Sequence, residues 1–145
     1  MKLVESLCRG GKIVEFGCGT GTLPGSLAPG TFSHYHGIDR SKEAIRRARA
    51  NVQMPYVSFE CCQMQDWQPS PASLILAEEC LYYLTTEEQR AFLAKCLLAI
   101  GSTGAIAVMV HSAKRHRRTV ETFKECVPKC EMSPFGHRFL MIGRA

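Results

Sequence analysis

The stretch Val14-Glu15-Phe16-Gly17-Cys18-Gly19-Thr20-Gly21-Thr22-Leu23 decides how the rest of the chain is read. Lys12 to Phe16 is a short apolar-rich run that predicts a buried strand, and the alternating glycines after it predict a sharp turn. Glycine accepts left-handed backbone conformations and lacks the Cβ that would hold a ligand away. A turn of this kind after the first strand of an α/β sheet is where nucleotide-like cofactors sit. The spacing discriminates among them. A dinucleotide fingerprint needs G-x-G-x-x-G, and neither Thr22, counted from Gly17, nor Pro24, counted from Gly19, is glycine. A P-loop ends in Gly-Lys-Ser/Thr, and no lysine stands in this turn. Glu15 repels a phosphate and suits a ligand with an ammonium or sulfonium group.

The pattern Glu15-x-Gly17-x-Gly19-x-Gly21 resembles the first motif of class I S-adenosylmethionine-dependent methyltransferases, and the resemblance covers nearly the whole chain. It implies a Rossmann-like α/β fold, with a mainly parallel seven-stranded sheet flanked by helices and closed by a C-terminal antiparallel hairpin. The fold is expected in minimal form, without a lid domain. The implied cofactor is S-adenosylmethionine, leaving as S-adenosylhomocysteine, with no metal. The glycine turn, including Cys18, is then expected against the methionyl part of the cofactor.

The rest of the chain supplies landmarks in order. Residues 2–9 predict a short helix and residues 23–28 a second. Residues 35–38 predict a strand closing on Asp39, which stands about 20 residues beyond the glycine turn, the spacing of a ribose-binding acid. Its paired acceptors can take both ribose hydroxyls. Arg40 either stacks on an adenine or points to solvent. Ser41 caps a helix running from Lys42 to about Val52. Residues 56–61 predict the third strand. By the resemblance, Gln63 and Met64 then meet the adenine, Gln63 standing where the family often has an acid. Trp67 reads as a packing residue.

A continuous apolar run, residues 73–77, predicts a central parallel strand. By the resemblance Ala77 and Glu78, at its carboxyl end, lie beside the cofactor. Nucleic-acid amino-methyltransferases carry Asn/Asp-Pro-Pro-Tyr here, and Ala77-Glu78-Glu79-Cys80 does not match it. Glu79-Cys80-Leu81-Tyr82-Tyr83-Leu84 is similar to the nodulation-type N-methyltransferases, which methylate amines on sugars. Thr85-Thr86-Glu87-Glu88 has the form of a capping box, opening a helix to about Ile100. Residues 105–110 predict the fifth strand, 117–126 the last helix, and 131–135 with 139–142 a terminal strand pair.

Methyl transfer from a sulfonium is an in-line displacement, so the protein must align nucleophile, methyl and sulfur. The candidates for handling the acceptor's proton are Glu79, Tyr82, Tyr83 and His111, all at strand ends. For His111 an exposed loop position, and for Glu79 a role holding the helix entrance or the cofactor's ammonium, stand as alternatives.

Composition sets the frame. The 145 residues predict a single domain over 1–145, with 46% hydrophobic and 21% charged residues, an ordinary globular balance. No apolar run predicts a membrane helix, and the N-terminus does not read as a signal peptide. The eight cysteines include no Cys-x-x-Cys pair, which predicts reduced, mostly buried thiols in a cytoplasmic protein rather than a metal site. The expected activity is methyl transfer to N or O of a small-molecule acceptor. An RNA or protein methyltransferase using the basic segment 114–118 is the second reading, and a noncatalytic cofactor-binding scaffold the third. Few residues precede the first strand, so a partner subunit or a lid-supplying protein is also weighed.

Overall fold

A computed structural model describes residues 2–145. Seven strands, β1 (Lys12–Phe16), β2 (His34–Asp39), β3 (Val57–Cys61), β4 (Leu74–Glu78), β5 (Ala105–Val110), β6 (Lys129–Phe135) and β7 (Arg138–Arg144), form one sheet. Their order is β3-β2-β1-β4-β5-β7-β6. The first five run parallel, and β7 lies antiparallel between β5 and β6. The chain steps outward from β1 through β2 to β3, then returns to place β4 on the other side of β1. The strand order therefore reverses between β1 and β4, and ligands of open α/β sheets bind outside the strand ends at such a reversal.

Alternating side chains build a core on each face. Val14, Phe16, Ile75, Ile106 and Val108 pack against Phe92, Leu93 and Cys96 of α4 (Thr86–Ile100) and Val120 and Phe123 of α5 (Arg117–Cys126). Ile13, Tyr35, Leu74 and Ala105 pack on the other face with Leu7 and Cys8 of α1 (Lys2–Cys8) and Ile45 and Ala48 of α3 (Lys42–Asn51). Each large apolar side chain fully buried in these layers contributes about 1.5–3 kcal/mol. Trp67 is buried, edge-on to Phe16 at 5.1 Å, and is the packing residue its sequence context predicts.

Helix starts follow local chemistry. The Ser41 hydroxyl accepts from the Ala44 N–H, and Thr85 and Glu88 form a complete capping box at the start of α4. Three expectations need correction. The second helix, α2, spans only Thr22–Ser26 and gives way to extended backbone at Leu27, because Pro24, Gly25 and Ser26 carry poor helix propensity. The terminal strands are longer than predicted, because antiparallel pairing continues through polar ends that carry no hydrophobic signal. The thiols are less uniformly buried than expected: Cys8, Cys18 and Cys96 are buried, Cys61 is exposed, and the other four lie between. No helix is long and apolar enough to cross a membrane, among the described residues.

Candidate functional site

The glycine turn is a backbone device. Gly17, Gly19 and Gly21 all take left-handed conformations, with φ of 75°, 53° and 74°. The N–H groups of Gly17 and Cys18 both donate to the Ile38 carbonyl, at 2.9 and 3.2 Å, so the turn hangs from the end of β2. Asp39 completes the attachment. Its Oδ2 accepts from the Gly19 N–H at 3.0 Å, and its Oδ1 accepts from the Ser41 N–H at 2.8 Å. One carboxylate thus ties the turn to the start of α3, and each oxygen keeps a further lone pair for a ligand hydroxyl. Gly21 is a packing glycine: a Cβ there would stand 2.7 Å from Phe59 Cζ. Gly19 has open space where its Cβ would be.

Above the turn lies a cavity of about 300 Å³. It gathers Gly17 from just after β1, Asp39 and Arg40 from the exit of β2, Gln63 and Met64 from the segment after β3, and Glu78, Glu79 and Tyr83 from the exit of β4. These eight sequence candidates are therefore brought together at the strand-order reversal. A Cβ on Gly17 would lie 3.0 Å from the Glu78 carbonyl oxygen, so a side chain there would crowd the mouth. Ile38, Met64 and Leu84 add apolar surface beside the Asp39 carboxylate. A flat ring joined to a sugar with two vicinal hydroxyls fits this combination of apolar walls and paired acceptors.

The β4 exit is organised by Glu79. This residue takes a left-handed conformation (φ 53°), which is uncommon outside glycine and concentrates where surrounding contacts over-determine the backbone. Its Oε2 accepts from the Tyr82 hydroxyl and from the His111 N–H, both at 3.0 Å. Its Oε1 is buried without a hydrogen-bond partner among the described residues, and Arg138 Nε stands 3.9 Å away. Glu79 thereby ties β4, the 3-10 turn Leu81–Tyr83 and the end of β5 together. Burial and the Glu79 carboxylate push the Tyr82 phenol pKa up. The His116 ring stacks on Tyr82, with centroids 3.9 Å apart and planes at 14°. Burial, with Arg115 nearby, holds the His116 imidazole below its ordinary pKa. Tyr83 is 69% exposed, and the Arg40 guanidinium lies over its ring at 5.6 Å, so the two residues face each other at the mouth.

Other candidates stand elsewhere. Cys18, Gly19, Gly21, Ala77 and His111 do not line this cavity. Ala77 and Cys18 are buried, and the Cys18 thiol is pushed up to about 12 by burial, with Glu15 and Asp39 adding to it. His111 is exposed and contributes its backbone N–H to Glu79. Glu15 is 6% exposed, accepts from the Tyr35 hydroxyl, and lines a smaller cavity of about 80 Å³ under Leu3, Val4 and Leu7 of α1. Burial raises its carboxyl to about 7, against the opposing Tyr35 hydrogen bond, and the Glu78 charge adds to the rise. Glu78 lines both cavities.

Sequence reasoning missed Arg138. It sits on β7 and reaches across to pair with Glu78 and approach Glu79. Nothing local marks it, since the two ends of this pair are far apart in the chain. The Tyr82–His116 stack was equally invisible. The described residues contain no group of three or more His, Cys, Asp or Glu able to hold a metal ion.

The fold is that of the class I S-adenosylmethionine-dependent methyltransferases. The profile of the methyltransferase domain family matches residues 13–104, more than half of the chain, and the chain belongs to that family. Among curated proteins it is similar to alpha N-terminal protein methyltransferase 1 of Schizosaccharomyces pombe, 27% identical over 121 residues. That match takes in 82% of this chain but only 55% of the relative's length. Among solved structures it is similar to the N-methyltransferase NodS of Bradyrhizobium japonicum in complex with S-adenosylhomocysteine. The TM-score is 0.76 at 18% identity, covering 99% of this chain and 85% of NodS. It is also similar to a Haloferax volcanii methyltransferase in complex with the Trm112 activator. There the TM-score is 0.78 at 15% identity, covering 99% and 88% of the two chains.

Proposed function

We propose that this protein binds S-adenosylmethionine in the cavity at the β1/β4 reversal and transfers its methyl group to N or O of a small-molecule acceptor. One observation carries the reading: Gly17 and Asp39 line the same cavity, and Asp39 is held by the Gly19 and Ser41 N–H groups. In this reading Asp39 takes the ribose hydroxyls, and Met64 with Ile38 flanks the adenine. Gly17, at the start of the glycine turn, faces the methionyl end, and Arg40 and Tyr83 border the acceptor side. The cofactor supplies an electrophilic methyl on a cationic sulfur. The protein's part is alignment: the Glu79 clamp fixes the turn carrying Tyr82 and Tyr83 relative to β5.

A protein acceptor is the second reading, favoured by the sequence match to a protein α-N-terminal methyltransferase. A partner subunit at the mouth is consistent with the activator complex formed by one structural neighbour.

Calorimetry with S-adenosylmethionine and S-adenosylhomocysteine tests the cofactor assignment. Because Asp39 also holds the turn, Asp39→Asn is a better variant than Asp39→Ala. The expected result is binding by the wild type and a loss of at least tenfold in Asp39→Asn, which keeps one of the two acceptors that hold the turn and is verified as folded by thermal melting. A folded wild type that binds neither compound overturns the proposal.

A further inference from the structure

The segment after β5 is a concentrated positive patch held, through His116, on the turn that carries Tyr82 and the cavity-lining Tyr83. Lys114, Arg115, Arg117 and Arg118 are all exposed. Arg117 has an acidic neighbour, Glu121 at 3.4 Å, and no ion pair holds Lys114, Arg115 or Arg118 among the described residues. Arg117 and Arg118 open α5, where no acid stands in the first turn and the His116 side chain provides no cap. Cations at a helix N-terminus oppose the helix dipole, so this arrangement is costly unless an anion arrives. His116 anchors the segment by its stack on Tyr82, whose hydroxyl is bound to Glu79 of the cavity wall. The acids at the mouth do not cancel the patch: Glu78 and Glu79 face Arg138, and Glu79 also takes the His111 N–H. Tyr83, whose ring lies 4.7 Å from that of Tyr82, adds an exposed aromatic face with Arg40 over it.

We propose that the methyl acceptor carries phosphate, and that Lys114, Arg115 and Arg118 hold that phosphate at the cavity rim. The proposal rests on the methyltransferase reading and names its acceptor chemistry. Phosphate reaches such a rim either on a small phosphorylated metabolite or as the backbone of a single-stranded RNA whose base lies on Tyr83. The rim chemistry is common to both, and affinity in either case falls as salt rises.

The test uses the full chain, with and without saturating S-adenosylhomocysteine. Inorganic pyrophosphate, a labelled uridine octanucleotide and polyglutamate serve as probes. The triple variant Lys114→Gln/Arg115→Gln/Arg118→Gln is compared with wild type, and thermal melting verifies its fold. The expected result is that at least one phosphate probe binds the wild type at least tenfold tighter than the variant, with S-adenosylhomocysteine affinity unchanged. Octanucleotide binding at least tenfold tighter than pyrophosphate selects RNA as the source, and pyrophosphate equal to or better than the octanucleotide selects a small acceptor. Absence of phosphate binding, polyglutamate binding as tightly as the phosphate probes, or unchanged phosphate binding in the variant overturns the proposal. Failure of the cofactor assignment shows separately, as loss of S-adenosylhomocysteine binding in the wild type.

Discussion

The two sides of the cavity are held by different means. On the glycine-turn side, Gly17, Cys18, Gly19 and Ser41 are fixed through their backbone N–H groups, and Asp39 spends both oxygens on neighbours in the turn and the α3 cap. On the β4 side, side chains do the holding: Glu79 takes the Tyr82 hydroxyl three residues on and the His111 N–H at the end of β5, and Arg138 reaches Glu78 from β7. The first side is preorganised by a contiguous motif plus one strand end. The second depends on the tertiary packing of β4, β5, β7 and α5. Backbone attachment suits a constant feature such as a cofactor, while side-chain attachment can be altered one residue at a time to suit different acceptors.

Breaking the floor beneath the β4 side has the largest expected effect. Phe92 packs edge-on to Phe16 at 4.8 Å and is 2% exposed. Phe92→Ala is expected to cost about 3–5 kcal/mol in urea denaturation, by lost burial and a residual cavity. On the turn side, Gly21→Ala meets both a left-handed backbone (φ 74°) and the Phe59 ring at 2.7 Å. An expected loss of about 2–4 kcal/mol follows. Gly19→Ala has the same backbone problem without the clash, and about 1–2 kcal/mol is expected. Equal losses at Gly19 and Gly21 would show that backbone strain alone, rather than packing on Phe59, holds the turn.

Glu15 gives a pH-dependent contrast beneath the turn. Its folded-state pKa is raised from 4.5 to about 7, so the folded protein binds more protons than the unfolded chain between these values. Stability from this group is present below about pH 4.5 and is lost as pH rises through about 7. Denaturation at pH 5 to 8 should show a decline on the order of 2 kcal/mol that Glu15→Gln flattens. Parallel profiles for the two proteins would contradict the buried carboxyl's role. The smallest effect is expected at the mouth, where the two sides meet. A double-mutant cycle on Arg40 and Tyr83 should give a coupling of about 0.5 kcal/mol, the size of an exposed cation–π contact.

The turn side was legible in the sequence because its signals are local. Glycine spacing, the acid one strand later and a serine cap each report a backbone requirement within a few residues of themselves, and Gly17 and Asp39 do meet in one cavity. The limits of β1, β5 and α5 were equally readable from apolar runs and stops. Glu15 shows where such reading stops: the motif marks the residue, but alternation along β1 sends its side chain to Tyr35 and α1 rather than into the main cavity. Glu79 and Tyr83 were visible as polar residues at a strand end, yet nothing in their neighbourhood announced the left-handed Glu79 backbone or its buried free oxygen.

Fold class, glycine turn and partner acid are written in the chain order of the residues, because backbone conformation and hydrophobic periodicity are short-range properties. The strand order, the Glu79 clamp, the reach of Arg138 and the attachment of the basic segment through His116 on Tyr82 emerge with the packed fold. The Glu79–His111 contact, the reach of Arg138 and the seat of His116 on Tyr82 join residues far apart along the chain, which become neighbours only when the sheet assembles.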